Sequence, residues 1–331
     1  MSDADRYTPA AYTFATRVDK VSSRSRLTRN LRIVLALAVA MIMLIPVAWM
    51  IMTAFKSRSD AVSAPPKVIF TPSMEGVISL LTQRRQITVE QGLADLQSRT
   101  DLTWYERVML QRGQQIVGKS EYVGYLTNSV IISVTSTVFS VIFGVLAGYA
   151  FSRFPVKGKD DLMFFILSTR MLPAVVVTIP IFLMYRILGM YDTRLGMILL
   201  YIVFNLSFSV WLMKGFMDEI PTEYEDAALV DGYSRLQAFV KVVLPQAVTG
   251  IAATTVFCLI FAWNEYGFAL MLTTQRARTA PAAIPSVLGT GGIEWAAIAA
   301  GSLGFLIPVV FVTFLLRDYL LRGVTFGAVR R

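Results

Sequence analysis

Six stretches of this 331-residue chain are long and apolar enough to cross a membrane, and this limits its fold more than any other feature. They run over about 31–52, 125–151, 162–188, 195–216, 247–272 and 295–316. A hydrocarbon core of about 30 Å takes about 20 helical residues, and within it every backbone N–H and C=O must be paired inside the chain. Helices and closed barrels both meet that demand. A barrel would show alternating segments of about ten residues. These blocks are continuous, so the sequence predicts an all-α membrane protein with six transmembrane helices.

Composition agrees. Hydrophobic residues make up 55% of the chain without counting Gly, where a soluble domain has about 45–50% with Gly included. Residues 1–30 form a polar tail containing Arg17, Lys20, Arg24, Arg26 and Arg29. The block after it, Leu31 to Met52, exceeds the apolar core of about 7–15 residues in a secretory signal, so it reads as a retained span. Pro46 inside it is tolerable in a membrane helix.

The net charge of +9 marks topology rather than a nucleic-acid groove, because much of the basic charge flanks the apolar blocks and no reading motif accompanies it. One set of short loops and ends holds Arg153, Lys157, Lys159, Lys214, Arg235, Lys241, Arg317, Arg322, Arg330 and Arg331; the other holds Arg194, Arg276 and Arg278. The bias places both termini in the cytoplasm. The chain has no histidine and one cysteine, Cys258. His-based triads, His-ligated metal sites and intrachain disulfides are thereby excluded.

The long segment between the first two spans contains a distinct piece, residues 75–117. Two capping-box signals, Thr88 with Gln91 and Thr103 with Glu106, predict a small helical insert outside the membrane. Gly113 to Ser120 reads G-Q-Q-I-V-G-K-S and fits the phosphate-loop pattern letter for letter. That pattern needs a strand feeding a Gly-rich turn at a helix N-terminus. Trp104–Arg112 before it reads as an amphipathic helix, and the topology puts the match outside. It is read as coincidence, which leaves ATP to another chain.

Between the fourth and fifth spans, residues 218–245 look like two short amphipathic helices. Thr222 is a candidate cap for the first, Glu223, Glu225 and Asp226 suit its N-terminal turn, and Gly232 permits a turn after it. Pro245 is expected to open the fifth span. The pattern alone leaves two readings open, a linker lying on the membrane and a docking element.

This loop resembles the EAA signature of ATP-binding-cassette importer permeases: E-A-A, three residues, Gly, nine residues, Ile, any residue, Leu-Pro. Here Asp226-Ala227-Ala228 is followed at those spacings by Gly232, Val242 and Leu244-Pro245. Asp226 replaces Glu and Val242 replaces Ile; Glu225 stands beside Asp226 as a second carboxylate. Arg170-Met-Leu-Pro173, Asn264-Glu265 and the ending from Arg322 to Arg330 are similar to MalG-type carbohydrate permeases. The insert is outside the resemblance.

The resemblance implies a type I importer core over residues 31–331, in a bacterial inner membrane, importing a sugar or polyol. It also implies partners: a second permease subunit, two ATPase subunits, an external solute-binding protein and membrane lipid. The chain itself is then no enzyme and holds no cofactor; ATP–Mg belongs to the ATPase. Glu225, Asp226, Ala227, Ala228, Asp231, Gly232, Leu244 and Pro245 would couple to that ATPase. Non-sugar import is an alternative. A secondary transporter would require internal symmetry and ion-coupling groups that are not evident.

Four residues are candidates for the solute path. Arg170 lies about nine residues, or roughly 14 Å, into the third span, where a cation must face protein or water. Asn264, Glu265 and Tyr266 form a polar and aromatic cluster suited to sugar contact, although aromatic belts at the membrane interface produce the same pattern. Asn205 in the fourth span reads as interhelical glue.

Overall fold

The computed structural model describes residues 23–286, 288–289 and 292–315. The first 22 residues and the basic ending that includes Arg317, Arg322, Arg330 and Arg331 lie outside them. The chain divides into two units, Met1–Trp49 and Met50–Arg331. The first is described from Ser23 onward and contains most of helix α1 (Ser23–Ala54), which carries Pro46 without interruption.

In the second unit, short helix α2 (Arg58–Ala61) is followed by α3 (Glu75–Leu81), strand β1 (Thr82–Gln86), α4 (Val89–Ser98), α5 (Trp104–Gln111) and strand β2 (Gln114–Lys119). The helices start where the capping signals place them. Thr88 Oγ1 accepts from Gln91 N–H at 3.3 Å while Gln91 Oε1 accepts from Thr88 N–H at 3.1 Å. The Glu106 carboxylate accepts from Thr103 N–H at 2.9 Å. The insert is helical at α3, α4 and α5 as expected, and it also holds a strand pair that the sequence reading left out: β1 and β2 pair antiparallel from Thr82↔Lys119 to Gln86↔Gln114. Gly113, at φ +69°, reverses the chain after α5 and lets β2 return to β1. This pairing joins residues about thirty apart, which no local pattern encodes.

The spans follow. Helix α6 (Tyr122–Arg153) and α9 (Arg194–Asp218) are continuous and extend the predicted second and fourth spans at both ends. The third span is not one helix. Helix α7 (Lys159–Ser168) tightens into a 3₁₀ turn at Thr169–Met171, Leu172 leaves the helical region, and α8 (Ala174–Ile187) sets off at 93°. Pro173 is the cause, since its ring disfavours helical backbone at the residue before it.

Beyond α10 (Glu223–Val230), α11 (Arg235–Ala238) runs through a π turn at Phe239–Val243 into α12 (Leu244–Gln246). The axis then bends by 72° into α13 (Val248–Trp263). Pro245 therefore lies within the approach helix rather than opening the fifth span. A proline ring clashes with the carbonyl four residues back, and the wider π turn just before it gives that carbonyl room. The fifth span also ends earlier than predicted: α13 stops at Trp263, and α14 (Gly267–Leu272) is a separate helix. Helix α15 (Ala280–Ala283), the strand pair β3 (Leu288–Gly289) and β4 (Gly292–Ile293), and the last span α16 (Trp295–Leu315) complete the described chain. Among the described residues four helices are each long and apolar enough to cross a membrane, and up to six spans result when each bent pair counts as one.

Helices α6 and α9 form the spine. A Cβ added at Gly144 would lie 1.9 Å from Ser209 Oγ, and one at Gly148 would lie 2.8 Å from Lys214 N, so the GxxxG pair lets the backbones touch. Ser140 Oγ reaches Ile202 O at 3.3 Å in the same seam. Asn205 donates to Cys258 O at 3.1 Å, joining α9 to α13 as interhelical glue. Such bonds contribute about 0.6 kcal/mol on average in membranes.

The insert packs on its own chain. Leu80 of α3 shares a buried cluster with Tyr122, Ile284, Ala297 and Ala300. Arg84 of β1 grips Glu294, just ahead of α16, and Arg112 grips Glu75 at 3.0 and 3.2 Å. The insert adjoins the first turn of α6, and Arg153 is its last residue. With 32 residues at 1.5 Å each, the two ends of α6 stand roughly 48 Å apart.

Candidate functional site

The loop from α9 to α13 closes the Arg153 end of the bundle. Pro221 leads into α10. Thr222 makes no side-chain cap bond, contrary to expectation; its backbone oxygen accepts from Asp226 N–H at 3.0 Å instead. Gly232 adopts φ +87°, and nothing lies within 4 Å of where its Cβ would be. The turn it makes is closed by Tyr233 N–H on Ala228 O at 3.0 Å. Helix α11 then starts on a capping box, with Ser234 Oγ accepting from Gln237 N–H at 3.3 Å and Gln237 Oε1 from Ser234 N–H at 2.8 Å. The S-R-L-Q spelling from Ser234 to Gln237 carries that signal in the sequence.

The loop residues divide by exposure. Asp226, Ala227, Asp231, Gly232 and Pro245 face outward, Leu244 is half-buried, and Ala228 is buried. Beside them Val230 is 88% and Leu236 70% exposed, an apolar pair on an otherwise polar turn. Glu225 differs from its neighbour Asp226, being only 4% exposed. Its carboxylate accepts from Arg153 Nε at 3.1 Å and from the Tyr149 hydroxyl. Arg153 Nη2 also donates to Ile220 O at 2.7 Å. This inward anchor was legible only as a carboxylate near the loop start and an arginine at a span end, with nothing to pair them.

Arg170 sits in the 3₁₀ turn where the third span breaks. Its guanidinium lies 4.5 Å from the Phe261 ring centroid and 5.3 Å from that of Phe208. Those rings belong to α13 and α9 and meet edge to face at 5.3 Å. Among the described residues no carboxylate pairs with Arg170, so aromatic faces of its own chain receive the cation. A groove of about 320 Å³ adjoins this break, lined by Phe143, Phe165, Thr169 and Leu206 among others. Its walls are mainly apolar and offer little to sugar hydroxyls.

The Asn264–Tyr266 cluster is a helix junction. Glu265 accepts from Phe268 N–H at 2.7 Å and Ala269 N–H at 3.1 Å, capping α14, and from the Tyr201 hydroxyl at 2.7 Å. Asn264 Nδ2 donates to Ile260 O at 2.9 Å. Tyr266 is exposed. Glu265 lies two residues past the end of α13, so this junction follows directly on the helix whose Phe261 ring receives Arg170.

The phosphate-loop match falls on the Gly113 turn and strand β2. The phosphate-cradling pattern would require Lys119-Ser120 to open a helix directly from a Gly-rich turn; here Lys119 ends a paired strand, opposite Thr82. The match also lies at the opposite end of α6 from the 223–245 loop.

Two further clusters were not foreseen. Asp192, in the left-handed region at φ +54°, gathers the 274–277 loop: its carboxylate accepts from the backbone N–H groups of Thr274, Gln275, Arg276 and Ala277 and from the Thr274 hydroxyl. Burial pushes the Asp192 carboxyl up, but those donors outweigh it and hold the group at about 2. At the insert, Arg84, Glu294 and Gln114 form a buried network, with the half-exposed Arg58 at 3.8 Å from Glu294.

The family described as binding-protein-dependent transport system inner membrane component matches residues 140–326. A probable ABC transporter permease protein, y4oR of Sinorhizobium fredii, is 30% identical over 310 residues, covering 93% of this chain and 99% of the relative. The trehalose/maltose transport system permease protein MalG of Thermococcus litoralis is 28% identical over 306 residues, covering 92% and 98%. In shape, the chain is similar to a crystallised bacterial ABC transporter involved in the import of the acidic polysaccharide alginate, with a TM-score of 0.63 at 22% identity over 90% of this chain and 98% of that one.

Proposed function

Because the chain belongs to the family of binding-protein-dependent transport system inner membrane components, we propose that it forms one permease half of an ATP-driven importer for a sugar or polyol. As an ABC permease with the type I fold it is a membrane transport component rather than the catalytic subunit. In this reading two ATPase subunits bind ATP–Mg, a second permease completes the path and an external binding protein delivers solute. Both termini face the cytoplasm, which puts Arg153, Lys157, Lys159, Lys214, Arg235 and Lys241 on the inner side, as the positive-inside rule favours.

One observation carries the reading. The 223–245 loop is a compact two-helix unit, fastened from behind through Glu225 and Ala228, which presents Val230 and Leu236 outward together with Asp226 and Ala227. Exposed apolar side chains on a rigid, soluble-facing turn mark a protein interface, and force transfer from an ATPase needs such a unit. The carbohydrate assignment is supported by the relative named for trehalose and maltose. Arg170, Asn264 and Tyr266 are proposed to face the path, with Glu265 shaping it by holding α14.

The test is isolation of the tagged chain from its own membrane in mild detergent, then reconstitution of what comes with it. An ATPase and a second permease should co-purify, and labelled disaccharides or polyols should accumulate only with ATP and binding protein. Val230→Asp and Leu236→Asp should release the ATPase. Uptake driven by an ion gradient without ATP, or undiminished ATPase retention in both variants, would overturn the reading.

A further inference from the structure

The coupling loop has a second attachment besides its covalent ends. Its neighbours in the chain are α9 and α12–α13, yet its buried contacts run to the last turn of α6, which is remote in sequence. Arg153 and Glu225 are 6% and 5% exposed at their side chains and pair at 3.1 Å across 72 residues. All of the guanidinium is committed: Nη2 donates to Ile220 O at 2.7 Å, and Nη1 to Ser152 Oγ at 3.0 Å. Ser152 in turn donates to Asp218, at the end of α9, at 2.7 Å. The other Glu225 oxygen takes the Tyr149 hydroxyl, one turn earlier on α6. Tyr149 also packs against Phe239 of the π turn, with ring centroids 4.4 Å apart and planes tilted by 44°. Phe154, which follows α6, meets Tyr149 edge to face at 5.9 Å and lies under the Arg235 guanidinium at 5.8 Å.

The end of α6 thus touches both halves of the loop, α10 through Glu225 and α11 with its π turn through Phe239 and Arg235. We propose that the Arg153–Glu225 pair, braced by Tyr149, is the positioning link through which motion of the coupling loop enters the transmembrane bundle by way of α6. The inference rests on the reading of the loop as the ATPase seat. Charged hydrogen bonds with both partners desolvated fix geometry more tightly than a flexible peptide connection does. From α6 the displacement passes to α9 along the Gly144–Gly148 seam, where backbone contact leaves no slack. Glu225 and Asp226, adjacent in sequence, then divide the work: Glu225 ties the loop to the membrane helices, and Asp226 remains on its outer side.

The test uses the reconstituted transporter and reads solute moved per ATP hydrolysed. A purely structural loss reduces the amount of working transporter and lowers both rates together, which leaves this ratio unchanged. Glu225→Gln and Arg153→Gln should each lower the ratio at least tenfold while the ATPase still co-purifies in normal amount. The double variant should be no worse than the poorer single, because both singles cut the same link. Tyr149→Phe, which keeps the ring on Phe239 and removes only the hydroxyl, should lower the ratio about threefold. Ratios within twofold of the parent in both charged variants overturn the proposal, as do independent, multiplying losses in the double. Loss of the ATPase from the singles also overturns it, since the pair would then serve binding. If the charged variants do not insert, Tyr149→Phe decides alone, and an unchanged ratio rejects the link. Failure of the underlying reading looks different: the ATPase then stays bound in Val230→Asp and Leu236→Asp whatever the ratio does in the α6 variants.

Discussion

Arg84 and Glu294, 210 residues apart, face each other through two parallel N–H···O bonds of 2.9 and 2.7 Å. Their side chains are 10% and 6% exposed. The bond ties the hairpin of the insert to the head of the last span, so the insert is not a free appendage.

Breaking a buried pair by removing one partner costs about 3–5 kcal/mol, because the other charge is stranded. Arg58, at 3.8 Å from Glu294, remains as a second cation and places the loss at the lower end. Arg84→Leu should therefore depress thermal unfolding in detergent clearly, and Arg84→Leu with Glu294→Leu should recover part of it. Strict additivity of Arg84→Leu and Glu294→Leu would contradict this account.

Gly232 combines φ +87° with empty space around its missing Cβ. A side chain there meets no neighbour, so any penalty is backbone strain alone, about 1–3 kcal/mol for a residue that resists left-handed geometry. Gly232→Val should lose uptake while the subunit still inserts, and Gly232→Asn, whose side chain tolerates that geometry, should keep most of it. Equal uptake in the two variants would show that the turn is not held at positive φ during transport.

Arg170 is balanced by rings. A cation–π contact contributes about 0.5–2 kcal/mol depending on desolvation, and the centroid distances of 4.5 and 5.3 Å fall within its range. A double-mutant cycle of Arg170→Met with Phe261→Leu, followed by thermal unfolding, should return a coupling energy of that size. A coupling energy of zero would mean that the guanidinium is held by something other than the ring.

Asp192 provides the pH dependence. Its folded pKa is about 2 against an ordinary 3.8, so the ionised form is favoured by folding. Its contribution is complete above the unfolded value and is lost as the pH falls from about 4 through about 2. Discounted for its partial exposure, it is about 1 kcal/mol. Asp192→Asn should lower stability by that amount at pH 7 and pH 5, and the gap should close between pH 4 and pH 2. A gap that is constant down to pH 2 would show that the carboxylate's charge is not what holds the 274–277 loop.

The local turns and helix starts are legible in the sequence. Gly232 was expected to turn the loop, and it does; Thr88 and Thr103 were expected to start helices, and they do. Such features are local: a glycine's freedom or a capping oxygen acts within four residues, so spacing suffices to find it. Asn205 was readable for a related reason, since a polar amide inside a membrane span must find a partner on a neighbouring helix. Glu265 reads as a candidate for sugar contact because a carboxylate beside aromatics has that pattern, and only the fold shows that its oxygens accept from Tyr201, Phe268 and Ala269.

The sequence by itself determined that the chain lives in a membrane, how many times it approaches a crossing and where the loop between the fourth and fifth spans lies, because hydrocarbon thickness and backbone pairing impose those on composition and length alone. Its EAA spacing also reached the right family. Tertiary structure alone decided that Pro173 breaks the third span at 93°, that the approach helix bends by 72° into the fifth, and that the insert closes a β-hairpin. It alone decided which charges meet: Arg153 with Glu225, Arg84 with Glu294, and Arg170 with two phenylalanines. The physical reason is distance along the chain. A buried charge must find a complement, but the requirement can be met by any suitable group the fold brings near, and that choice is made only when the helices pack.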